Sequence, residues 1–101
     1  GMNDEALIPD IFALHQNYPN PFNPVTTIRY DIPEQALVRI DIYNILGQKV
    51  AVLAEGLHEP GFHAVRWNGT NMYGNALSSG MYFYHIQAGD FRNVKKLLLV
   101  K

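Results

Sequence analysis

The sequence predicts an all-β fold, an antiparallel β-sandwich of about seven short strands, and three observations carry that expectation. Apolar residues alternate with polar ones in several short runs, the pattern of half-buried strands. Turn residues punctuate these runs every 8–12 residues or so, roughly the spacing of a sandwich. No window of roughly ten or more residues shows helical periodicity.

Residues 1–14 read as a linker or irregular lead-in, with Pro9 and no sustained period, and Gly1-Met2 has the look of a cloning remnant. The folded domain is expected to span residues 15–101. It opens on Asn17-Tyr18-Pro19-Asn20-Pro21-Phe22-Asn23-Pro24, three prolines within six residues. Proline fixes φ and forces its predecessor into extended geometry, so this segment is neither helix nor central strand. Asn20 and Asn23 suit Asx turns. Tyr18 and Phe22 are then expected as rigid plugs over one end of the core. Display as a proline-rich ligand for a partner domain is the alternative, but the flanking aromatics suit packing better.

From Val25 the period is two. Ile28, Tyr30 and Ile32 alternate with Thr27, Arg29 and Asp31, and Pro33-Glu34-Gln35 ends the strand. Val38, Ile40 and Ile42 alternate with Arg39, Asp41 and Tyr43 in a second. Asn44-Ile45-Leu46-Gly47 supplies a turn in which Gly47 can take positive φ. A third strand is expected over 49–53, a longer loop with Gly56, Pro60 and Gly61 over 54–61, and a fourth strand over 62–67. Asn68-Gly69 and Tyr73-Gly74-Asn75 punctuate the stretch after it. Strands over 81–88 and 91–100 finish the chain, joined by Gly89-Asp90.

Gly80-Met81-Tyr82 resembles the tyrosine corner of immunoglobulin-like folds, in which the hydroxyl bonds back to the upstream backbone. Trp67, the only tryptophan, ends the alternating run His63, Val65, Trp67 and is expected at the centre of the core. The predicted core is Ile28, Tyr30, Val38, Ile40, Ile42, Val65, Trp67, Tyr82 and Tyr84.

A type II′ turn at Gly89-Asp90, with Gly at its first central position, fixes the register of the last hairpin. Ala88 then faces Phe91, Ile86 faces Asn93, Tyr84 faces Lys95 and Tyr82 faces Leu97. The opposite face carries Met81, Phe83 and His85 with Val94, Lys96 and Leu98. Neither face is cleanly polar, whereas the outer face of a sandwich should be. Either that register is wrong or the face around Phe83 and Leu98 is covered, in the favoured reading by the N-terminal segment through Phe12 or Phe22, in the other by a partner protein on an apolar strip.

Composition narrows the chemistry. Of 101 residues, 48% are hydrophobic and 17% charged, which suits a globular domain and argues against a disordered tail. The net charge of −1 gives no basic stripe for nucleic acid, and the adjacent Lys95 and Lys96 suit a protected sheet edge. Absence of cysteine removes disulfides, thiolate metal sites and a cysteine nucleophile. No apolar run approaches the roughly 20 residues of a membrane span, so stable membrane insertion is not expected.

His15, His58, His63 and His85 lack zinc-ligand spacing. Ser78-Ser79-Gly80 lacks the Gly-x-Ser-x-Gly elbow, and Asp31, Asp41, Glu55, Glu59 and Asp90 are scattered over outward positions or loops. No Gly-rich phosphate loop is present and no small-molecule substrate is indicated. The loop holding Asn68, Thr70 and Asn71 places oxygen ligands near Gly74, faintly like a calcium loop, but asparagine brings too little charge and capped turns are the plainer reading. No enzyme and no cofactor are expected.

In order and spacing, these pieces resemble the type A C-terminal sorting domain of the bacterial type IX secretion system. The resemblance runs from about His15 to Lys101. It is carried by Asn17 to Pro24 with Thr26-Thr27-Ile28; by Ile42-Tyr43-Asn44 with Leu46-Gly47 and Val50; by Gly61 through Trp67-Asn68-Gly69; by Ser79-Gly80-Met81-Tyr82-Phe83-Tyr84; and by the finish from Lys96 to Lys101. Two departures stand out: Asn68 where Asp is more usual, and His85 where Arg or a small polar residue is expected.

The resemblance implies an immunoglobulin-like address label at the C-terminus of a cargo. It implies passage through the periplasm of a Gram-negative bacterium, an outer-membrane translocon as partner, and a sortase-like peptidase that cuts within residues 1–14. The product would be secreted or held at the cell surface. Recognition is expected on the last strand, as an edge or a charged tip, and on Gly80–Tyr84, which singles out Gly80, Tyr82, Tyr84, Lys96, Leu98, Val100 and Lys101. Two rivals remain. One is a structural module like the related flagellar hook-capping scaffold, against which an end at Lys101 speaks if that terminus is natural. The other is an adhesive or carbohydrate-binding sandwich, for which Tyr43, Tyr73 and Phe83 are the candidate platform.

Overall fold

A computed structural model describes residues 7–101. Seven strands run in order: β1 (Ala13–Leu14), β2 (Thr26–Ile32), β3 (Ala36–Tyr43), β4 (Lys49–His58), β5 (Gly61–Trp67), β6 (Gly80–Ala88) and β7 (Phe91–Leu99). They form two antiparallel sheets, β1-β2-β5 and β4-β3-β6-β7, packed face to face. Strong period-two alternation produces this arrangement, since each strand can bury only one face. Along β2 the residues Ile28, Tyr30 and Ile32 are buried, while Arg29 between them is exposed.

The fold differs from the expectation over residues 54–61. β4 continues through His58, and Glu59-Pro60 alone connect it to β5. Two bulges explain the missed strand. Between Ile40 and Asp41 the partner on β4 jumps from Ala54 to Val52, and between Ile42 and Tyr43 it jumps from Ala51 to Lys49. Each bulge inserts an unpaired residue and reverses the in–out phase, so the alternation that marks a strand disappears from the sequence.

The last hairpin has the expected register: Ala88 faces Phe91, Ile86 faces Asn93, Tyr84 faces Lys95 and Tyr82 faces Leu97. Gly89 has φ +56°, and among the described residues no residue other than glycine has positive φ. That combination fits a type II′ turn, because type I′ would require positive φ at Asp90 too.

The core lies between the sheets. Ile28, Tyr30, Val38, Ile40, Ile42, Trp67, Tyr82 and Tyr84 are buried there, joined by Ile86, Leu97 and Leu99; Val65 is half-buried at its margin. Phe22 plugs one end, 1% exposed and 5.6 Å from the Trp67 ring, and Tyr82 meets Trp67 edge-on at 5.5 Å. Tyr18, expected as a second plug, is instead 74% exposed. Its backbone pairs with Thr27, which turns the side chain outward. Phe12 stacks on Phe91 at 5.6 Å, and Leu14 is buried in the core. The folded unit thus begins N-terminal to residue 15; residues 1–6 lie outside the described part.

Candidate functional site

The segment from His15 to Val25 runs as a strap across one end of the sandwich and along the edge of β7. Its proline-rich sequence cannot form a regular ladder, so side chains and isolated backbone groups make its contacts. The three X–Pro bonds at Pro19, Pro21 and Pro24 are cis. Asn17, only 2% exposed, is the hub. Its Nδ2 donates to the Pro19 carbonyl (3.2 Å) and the Thr26 hydroxyl (2.9 Å), and its Oδ1 accepts from Gln16 Nε2 (2.6 Å). From below, the buried Tyr84 hydroxyl donates to the His15 carbonyl (2.7 Å) and accepts from the Asn17 N–H (2.9 Å). Burial pushes the Tyr84 phenol up to about 12, a shift the Asn17 bond partly offsets.

Four bonds tie the strap to β7. Gln16 Nε2 donates to the Lys96 carbonyl (2.8 Å), and the Leu98 N–H donates to Asn20 Oδ1 (2.9 Å). The Phe22 N–H donates to the Leu98 carbonyl and the Val100 N–H donates to the Phe22 carbonyl, each 3.0 Å. The outward backbone groups of β7 from Lys96 to Val100 are therefore largely occupied. Strand addition by a partner there, one of the modes expected from the sequence, has no open edge to use.

The residues singled out for recognition separate into two groups. Tyr82 and Tyr84 are buried; the Tyr82 hydroxyl donates to the Ser78 carbonyl (2.7 Å), the bond of a tyrosine corner. Lys96 and Leu98 lie on the outer face of the four-stranded sheet, Val100 is exposed beyond it, and Gly80 opens β6 opposite Leu99. The exposed Lys101 is held by its N–H on Ser79 Oγ (3.0 Å).

The outer face around Phe83 is not covered in the way the sequence suggested. Phe22 is spent on Trp67 and Phe12 on Phe91, so neither reaches it. Instead the turn Asn44–Gly47 stands over the sheet. Asn44 Oδ1 accepts from the N–H groups of Leu46 (2.9 Å) and Gln48 (3.0 Å), leaving Ile45 and Leu46 exposed. Tyr43, Ile45, Phe83, His85 and Val94 line a groove of about 390 Å³ beneath it. Asp41, expected to face outward into solvent, is 4% exposed on this face. Arg39 Nε reaches both its oxygens at 3.0 Å, Lys49 Nζ lies at 3.6 Å, and the Tyr43 hydroxyl donates to it weakly at 3.4 Å. Asp41 in turn raises the Arg39 guanidinium by hydrogen bond and charge, while burial, with Asp41 adding to it, raises the Tyr43 phenol.

Sequence spacing missed one cluster. His58 and His63 flank the tight β4–β5 turn with ring centroids 5.0 Å apart, and both pack on Tyr30. The His58 Nε2 bonds the Tyr30 hydroxyl (2.8 Å) and the His63 Nε2 bonds the Glu59 carbonyl (2.8 Å). Among the described residues no group of three or more His, Cys, Asp or Glu could hold a metal ion. In the loop weighed for calcium, the Asn71 Oδ1 accepts from Tyr73 and Asn75 N–H groups, and Asn68 Oδ1 accepts from the Thr70 hydroxyl. These are bonds of capped turns, and the loop offers no carboxylate to a hard cation.

Comparison with known proteins places most of the chain in one family. The family described as the secretion system C-terminal sorting domain matches residues 16–101, from within the strap to the last residue. No curated protein matches the chain. Among solved structures, the chain is similar to dimeric latent PorU from Porphyromonas gingivalis, with a TM-score of 0.72 and 21% identity over 91% of this chain and 9% of that one. It is similar also to PorZ, a surface component of the type IX secretion system of the same organism, with a TM-score of 0.59 and 21% identity over 98% of this chain and 13% of that one. At that identity these two show a shared fold. The chain thus spans only about a tenth of the structures it superposes on. Nearly its whole length falls within the family match, and on that ground the chain belongs to the C-terminal sorting domains of the type IX secretion system.

Proposed function

We propose that this domain is the address label by which the type IX machinery exports the protein attached to its N-terminal side, and that it has no catalysis of its own. The family match over residues 16–101 carries the reading. Physical features support it. The module is a small sandwich whose β7 edge is strapped from Lys96 to Val100, which blocks pairing with another strand along that stretch. The hydroxyls of Tyr30, Tyr82 and Tyr84 and the imidazoles of His58 and His63 are engaged in bonds that hold the fold.

Passage through the periplasm, delivery to the cell surface or medium, and removal by a sortase-like peptidase complete the proposal. The cut falls N-terminal to Ala13, because cleavage beyond it would sever β1 from the sheet. Of the candidate recognition residues, Lys96, Leu98, Val100 and Lys101 can be touched by a partner, whereas Tyr82 and Tyr84 act by holding the fold that presents them.

The test is export of a periplasm-directed fluorescent protein carrying the chain at its C-terminus, in a bacterium with type IX machinery. Fluorescence outside the cell only when the chain is attached supports the reading, and a reporter mass lacking the chain supports removal. Retention in the periplasm with the domain folded overturns the sorting role.

A further inference from the structure

The outer face of the four-stranded sheet is only partly covered by the Asn44–Gly47 turn. Its central row reads Lys49, Tyr43, Phe83, Lys96 across β4, β3, β6 and β7, and the neighbouring row reads Val52, Asp41, His85, Val94. Met81 and Leu98 close the apolar strip at one end. Met81 is 38% and Val94 53% exposed, and Ile45 and Leu46 in the overhanging turn are more exposed still. A solvated outer face would be polar.

The charges on this face are one-sided. Asp41 is buried and already paired with Arg39 and Lys49, and Glu55 is paired with Arg39. Arg92 and Lys96, which flank Val94 on β7, have no carboxylate within ion-pair distance among the described residues. Residues 80–101 hold four cations, Arg92, Lys95, Lys96 and Lys101, against the single carboxylate of Asp90, although the whole chain is at −1.

We propose that this face, centred on Phe83, docks a protein partner that presents an apolar side chain to the Tyr43–Phe83–Val94 groove and acidic residues to Arg92 and Lys96. The proposal rests on the sorting reading, which makes the partner a component of the export machinery. Three considerations select this occupant. The strap closes the β7 edge from Lys96 to Val100, so recognition there must use a face and not strand addition. A second copy on the same patch would crowd Arg92 and Lys96 against cations of the same sign, with no free acid to answer them. A lipid surface gains only about 1 kcal/mol per cation and would not exploit a shaped aromatic groove.

The test uses the same reporter fusion. Val94→Glu and the double change Arg92→Glu with Lys96→Glu oppose the apolar and charged parts separately, and Phe62→Ser on the outer face of the other sheet is the control. The wild type and the control are exported, and both face variants lose export by at least about tenfold, the equivalent of one strong interface contact. The exposed Arg92 and Lys96 keep the test valid should Val94→Glu lower the melting temperature. Export of the double variant at the wild-type level overturns the proposal. So does a purified wild-type dimer that Val94→Glu disperses, or co-sedimentation with vesicles of phosphatidylcholine and phosphatidylglycerol that the double variant abolishes. Retention of the wild type itself overturns the sorting reading and the docking proposal with it.

Discussion

The Tyr84 hydroxyl, buried in β6, bonds both the Asn17 N–H at 2.9 Å and the His15 carbonyl at 2.7 Å, fastening the strap to the core from inside. Two backbone groups with no regular ladder to join are thereby satisfied by one side chain 67 and 69 residues away. This pair of bonds explains why a proline-rich segment holds one conformation against the edge of the last strand.

Tyr84→Phe keeps the ring and removes the hydroxyl, leaving the buried Asn17 N–H and the half-buried His15 carbonyl unpaired. The expected loss is about 1–3 kcal/mol, read from urea unfolding. A variant as stable as the wild type would show that the strap does not depend on this hydroxyl.

The same phenol sets a limit at high pH. Burial raises its pKa to about 12 from an ordinary value of 10.0, so the folded state keeps a proton that the unfolded chain gives up. The contribution is therefore fully present below pH 10 and is lost as pH rises through about 12. Tyr30 and Tyr43, both raised by burial, act in the same direction. Melting temperature should fall across this alkaline window, and the fall should be shallower in Tyr84→Phe.

Phe22→Ala opens a cavity between Trp67 and the C-terminal residues that the Phe22 backbone still grips. It should cost about 3–5 kcal/mol, and Trp67→Ala a similar amount, enough to unfold a marginal domain. Tyr18→Ala, in the same proline run yet exposed, should change stability by no more than about 0.5 kcal/mol. Thermal melts of the three variants separate the plug from its neighbour.

Gly89→Ala isolates the turn. A Cβ at this position meets nothing within 4 Å, so the only penalty is φ +56° in an L-residue. The expected cost is about 1–3 kcal/mol with the hairpin register retained, which hydrogen exchange along β6 and β7 reports. A register slip would show that the turn, and not the buried Tyr82, Tyr84 and Leu97, sets the pairing.

The strands with clean alternation were legible, and so was the hairpin, because turn type and side-chain period jointly fix register. β4 was legible only to Leu53. The bulges opposite Ile40–Tyr43 reverse its phase, and Gly56 adds no side chain by which to read a face. The proline run announced itself as irregular, but nothing in its composition says that Asn20 reaches Leu98 across 78 residues. Long-range contacts of a non-periodic segment leave no periodic trace. Asp41 misled for a related reason: alternation gives the face, and the burial of that face came from Arg39, Lys49 and Tyr43 closing around it. The aromatic face at Phe83 was foreseen, and what covers it was not, since Phe12 and Phe22 are committed elsewhere.

Whether the domain is a sorting signal is decided by where the reporter–chain fusion accumulates in two otherwise identical strains, one with an intact type IX system and one with its translocon inactivated. Reporter in the medium or on the surface of the first strain, and only in the periplasm of the second, is the expected result. Equal distribution in both strains, with the domain folded, would show that the type IX machinery does not read it.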